Sequence, residues 1–80
     1  MFVLLVEDDA RLSRALSAGL MEEGCQVEVV ADGQSALSAL SETPYDAIIL
    51  DIQLPSRDGF SVLAAARSAG VTTPILVLTA

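Results

Sequence analysis

Four short runs of Val, Ile and Leu recur along the chain, at Phe2–Val6, 27–30, 47–50 and Ile75–Leu78. The first, third and fourth are continuous, as expected of strands buried on both faces of a parallel sheet, whereas Val27-Glu28-Val29-Val30 is mixed. Between them the period changes. Leu12, Leu16 and Leu20, with Ala15 and Gly19, share one face of a helix predicted over 8–23, which Gly24 can end with a left-handed residue. Asp32 can cap a second helix carrying Ala36, Leu37 and Leu40 and closed before Pro44. A third, over 58–69, presents Phe60, Leu63 and Ala64 with Arg67 below and stops at Gly70. The order βαβαβαβ predicts an α/β, doubly wound parallel sheet, with right-handed crossovers placing helices on both faces.

In sheets of this kind ligands gather beyond the carboxyl ends of the strands, near the point where the winding reverses. Three of the predicted strand ends read Glu7-Asp8-Asp9, Asp51 and Thr79-Ala80. Aliphatic runs thus lead straight into acid, and the acids converge. Composition narrows what they could serve. Eighty residues, 52% of them hydrophobic, provide for one small core. The net charge of −7, with eleven Asp and Glu, four Arg and neither Lys nor His, argues against a nucleic-acid-binding face on this segment and favours cations as ligands. With no His and with Cys25 alone, most zinc sites, Ser-His-Asp or Cys-His chemistry and an internal disulfide are also excluded. Cys25 reads as a reduced thiol, and the apolar start is too short for a signal sequence or a membrane span. A soluble, cytoplasmic segment is expected.

Clustered carboxylates without nitrogen or sulfur donors suit a hard divalent cation, Mg²⁺ above all with Mn²⁺ as the alternative ion. A carboxylate beside such a cation can attack phosphorus and form an aspartyl phosphate. Asp51 stands alone at its strand end and is the candidate nucleophile, whereas Glu7 and Asp8 are adjacent and can share the metal. Thr79 offers a hydroxyl to a new phosphoryl oxygen. Singly, each residue has a plainer role: Asp8, Asp9 and Asp58 as helix caps, Asp51 as a loop acid, Thr79 as a β-former, Pro55 and Gly59 as turn residues. Their joint placement at one sheet edge favours the site. An aspartyl-nucleophile phosphohydrolase would want a second acid two residues after Asp51, where Gln53 stands. A dinucleotide-binding domain would want a glycine-rich turn in place of "EDDARL".

These segments together resemble the receiver domain of bacterial two-component response regulators. "VLLVEDD" is similar to that family's first strand and acidic pair. "DIQLPSRDG" is similar to its phosphoacceptor segment, with Asp51 followed by Pro55 and Gly59, and "PILVLTA" to its fourth strand and switch hydroxyl. The resemblance implies a flavodoxin-like fold of strand order 2-1-3-4-5. It further implies Mg²⁺ held by Glu7, Asp8, Asp51 and the backbone carbonyl of Gln53, phosphorylation of Asp51 by a histidine kinase, a Thr79 that turns toward the phosphoryl group, and an Ala80 that leaves it room. "VLLVEDDARL" most resembles regulators with a winged-helix DNA-binding output domain. Residues 1–80 correspond to the N-terminal part of a receiver, truncated after the fourth strand and lacking the last strand and two helices; the family's phosphate-contacting lysine has no counterpart. The alternative is a fragment inactive in phosphotransfer. An uncharged "PILVLT" edge also predicts a homo-oligomer joined through the fourth strand.

Overall fold

The computed structural model describes residues 1–54 and 58–78. Its elements are β1 (Phe2–Val6), α1 (Ala10–Glu22), β2 (Gln26–Val30), α2 (Gly33–Glu42), β3 (Ala47–Asp51), α3 (Gly59–Ser68) and β4 (Ile75–Leu78). All three strand pairings are parallel, in the order β2-β1-β3-β4. The alternation read from the sequence is therefore the fold, and the winding reverses between β1 and β3.

Each helix starts on an aspartate. The Asp9 side chain accepts from the amides of Arg11 and Leu12, Asp32 from Ser35 and Asp58 from Ser61, so three carboxylates satisfy amides that a helix start leaves without partners. The predicted first helix accordingly begins two residues late, with Asp8 and Asp9 outside it. Its end follows from Gly24, whose φ of 88° costs little without a β-carbon.

Strand alternation sorts the core. Leu4, Val6, Ile48 and Leu50 point to one face, where Ala36 of α2, Val62 of α3 and Tyr45 close over them. The Phe2 and Tyr45 rings meet in a tilted arrangement, centroids 4.8 Å apart. Val3 and Leu5 point to the opposite face and are equally buried, so β1 is covered on both sides, as its unbroken apolar run requires. Burying each such side chain favours folding by about 1.5–3 kcal/mol.

Two expected faces are corrected. Phe60 is 61% exposed, and α3 buries Gly59, Val62 and Ala66 most fully, while Leu63 of the predicted face is half-buried against the core. On α1 the only buried residue is Ser13, while Leu12 is 41% exposed and Leu16 and Leu20 are half-buried. The leucine stripe therefore meets the sheet with only part of its width. The loop into β4 is tied by Arg67, whose guanidinium donates to the Val71 and Thr73 carbonyls at 2.8 and 2.9 Å. No helix among the described residues is long and apolar enough to cross a membrane.

Candidate metal centre

The register of the sheet assembles the site. Val6 pairs with Leu50, so the next residue of each strand, Glu7 and Asp51, stand side by side with the same parity. Asp8 follows at the exit of β1. One carboxylate oxygen from each of Glu7, Asp8 and Asp51 lies within 4.8 Å of the other two. The three acids proposed from sequence as ligands are thus brought together by strands that are neighbours in space but far apart in the chain.

Their surroundings differ. Glu7 is only 3% exposed, Asp51 is half-buried and Asp8 is open to solvent. The Glu7 backbone N–H donates to the Val30 carbonyl at 3.0 Å, and its carboxylate accepts from the Asp9 amide at 3.2 Å. Burial raises the Glu7 pKa above its ordinary value, the nearby Asp51 and Asp8 add to the rise, and the Asp9 amide opposes it. Three like charges at this spacing repel, and a divalent cation is the group that would reverse the sign of that interaction. The donor set fits one: all oxygen, a buried anchor, and an open side through Asp8 where water can complete the coordination.

Asp51 is fixed from its own loop. Its Oδ1 accepts from the Gln53 amide at 3.0 Å, which leaves the second oxygen for a metal or for phosphorus. Gln53 itself is exposed, two residues beyond Asp51. Between them the Ile52 amide donates to the Leu78 carbonyl at 3.4 Å, tying the loop to the end of β4. Pro55, Thr79 and Ala80, all singled out from sequence, lie outside those residues. Asp9, by contrast, is a helix cap, the plainer of its two roles. Gly59 carries more than punctuation, because it is buried against the peptide following Asp51. A glycine at the first position of a helix already capped by Asp58 was the available signal.

Comparison with known proteins agrees with this geometry. The family model for the response regulator receiver domain matches residues 3–80. The transcriptional regulatory protein TcrA of Mycobacterium tuberculosis is 46% identical over 78 residues, covering 98% of this chain and 31% of TcrA. The chain thus spans about a third of the length of such curated relatives. Among solved structures, the receiver domain of the sensor histidine kinase PA1611 from Pseudomonas aeruginosa, with magnesium coordinated in its active site cleft, is 38% identical. It superposes with a TM-score of 0.94 over 99% of this chain and 66% of its own. The response regulator TrrA of Thermotoga maritima, solved in complex with the histidine kinase ThkA, is represented by a match of 32% identity and TM-score 0.92, covering 99% of this chain and 68% of that one. By sequence model, relatives and fold, this chain belongs to the response regulator receiver domain family.

Proposed function

We propose that residues 1–80 form the N-terminal, four-strand part of a receiver whose Asp51 accepts a phosphoryl group from a histidine kinase in a Mg²⁺-dependent reaction. The observation that carries this reading is the convergence of Glu7, Asp8 and Asp51 oxygens within 4.8 Å at the sheet's carboxyl edge. The free Asp51 oxygen forms the new bond to phosphorus as the phosphorus–nitrogen bond of a phosphohistidine breaks, and the leaving imidazole nitrogen keeps the electron pair and takes up a proton. Glu7, Asp8, Asp51 and the Gln53 carbonyl are the ligands assigned to Mg²⁺, with Mn²⁺ as a substitute. When bound, the ion supplies positive charge to the phosphoryl oxygens. Thr79 is assigned the switch hydroxyl and Ala80 the small neighbour that accommodates it.

The partners assigned are a histidine kinase, in line with the ThkA–TrrA complex, and a DNA-binding output domain in a cytoplasmic parent, in line with the transcriptional regulatory relatives. Incubation with a small phosphodonor and Mg²⁺, read by intact-mass spectrometry, tests the reading. One phosphoryl addition is expected, lost in Asp51→Ala and without added Mg²⁺; labelling that survives Asp51→Ala would overturn it.

A further inference from the structure

Helix α3 begins hard against the segment that carries the candidate nucleophile. The Gly59 N–H donates to the Ile52 carbonyl at 2.7 Å. A β-carbon at position 59 would overlap Ile52 Cα, and would lie 2.7 Å from the Asp51 carbonyl oxygen and 3.0 Å from the Ile52 nitrogen. Every one of these neighbours is backbone, so no side-chain rotation could relieve the crowding. Nor does backbone conformation call for glycine here, since the positive φ values belong to Gly24 and Gly70. Glycine is a poor helix former, and the one property that position 59 uses is its lack of a side chain.

We infer that Gly59 is a positioning residue for the acidic site: by seating α3 directly on the Asp51–Ile52 peptide, it sets how far the Asp51 carboxylate stands from Glu7 and Asp8. This rests on the metal-binding reading above. On the β4 side Ile52 is held by a long rung, its N–H to the Leu78 carbonyl at 3.4 Å, whereas the bond its carbonyl accepts from Gly59, in the next peptide, is short at 2.7 Å. The helix is therefore the tighter of the two restraints. A methyl group at position 59 needs roughly 1 Å or more of retreat to reach ordinary van der Waals separation from the Ile52 backbone. Mg²⁺ holds its ligands at about 2.0–2.1 Å in near-ideal octahedral geometry and tolerates little of such a shift.

The test is calorimetric titration of Mg²⁺ into three forms of the chain: unsubstituted, Gly59→Ala, and Val62→Ala. The last removes methyl groups from the same helix in the core, away from the Asp51 peptide, and controls for lost stability. Gly59→Ala is expected to weaken Mg²⁺ binding by ten-fold or more, with Val62→Ala within two-fold of the parent. Unchanged affinity in a folded Gly59→Ala, or an equal loss in Val62→Ala, overturns the inference. If the unsubstituted chain binds no Mg²⁺, the metal-binding reading itself falls, and Gly59 with it. A second measurement needs no substitution. In amide NMR spectra of the parent chain, added Mg²⁺ should move the Gly59 resonance together with those of Asp51 and Gln53 while leaving Ala66 in place; a stationary Gly59 amide overturns the inference even if Gly59→Ala does not fold.

Discussion

Replacing Asp51 by Asn removes one of three crowded charges while keeping the shape of the side chain and an oxygen to accept from the Gln53 amide. Two carboxylates at the 4.8 Å limit of this cluster repel by about 0.9 kcal/mol in water-like surroundings and about 3.5 kcal/mol at an effective dielectric constant of 20. Asp8 is exposed and Asp51 half-buried, so the low end governs. Asp51 takes part in two such pairs, and the metal-free variant should gain about 1–2 kcal/mol, or roughly 4–16 °C in melting temperature for a domain of this size. Mg²⁺ should invert the ranking. It stabilises the parent by binding only the folded form, and it should do little for a variant that has lost a ligand. Thermal melts of both forms, with and without millimolar Mg²⁺ at low ionic strength, measure all four states. A metal-free Asp51→Asn that melts at or below the parent would refute the repulsion, and an undiminished Mg²⁺ response in the variant would refute the ligand assignment.

Glu7 gives a pH signature. Its raised pKa means that the folded, metal-free chain holds this proton more tightly than the unfolded chain, so stability is fullest below the ordinary value of 4.5 and is lost as pH climbs through the raised one. Glu7→Gln should flatten that loss in denaturation curves taken across pH 4–8. Asp32 has the opposite sign: Ser35 lowers its pKa, so its contribution is present above 3.8 and disappears as acid is added. Removing it with Asp32→Asn should leave the curve above pH 5 unaltered in shape. Asp8→Asn should weaken Mn²⁺ binding, followed by electron paramagnetic resonance, by ten-fold or more, whereas Asp9→Asn should change it less than two-fold because Asn caps α1 equally well.

The strands were legible because β1, β3 and β4 each concentrate aliphatic residues over four or five positions. The meeting of Glu7 with Asp51 was legible because parallel strands of equal burial align their ends. Helix faces were less so. Phe60 drew the predicted face of α3 toward itself by its size, and of that face only Leu63 joins Val62 and Ala66 in packing against the core. On α1 the eye follows Leu12, Leu16 and Leu20, while the residue the sheet covers most fully is Ser13, whose hydroxyl is satisfied by the Ala10 carbonyl at 3.2 Å. Periodicity reports which residues could be buried, and only the neighbouring elements decide which are. The role of Gly59 was hidden for the same reason, since a clash with Ile52 involves two residues whose separation depends on how the loop between them runs.

The central place of β1 also orders events in time. Its flanking partners, β2 and β3, both come later in the chain, and the acids at its end are synthesised roughly forty residues before Asp51. At ordinary rates of translation that is an interval of about 2–9 s, during which Glu7 and Asp8 exist without the third carboxylate. A growing chain therefore cannot be templated by the ion from its amino end. On the metal-binding reading proposed above, the full ligand set exists only after β3 docks, before β4 has joined the sheet, and metal capture by ribosome-bound chains of increasing length would time the docking of β3.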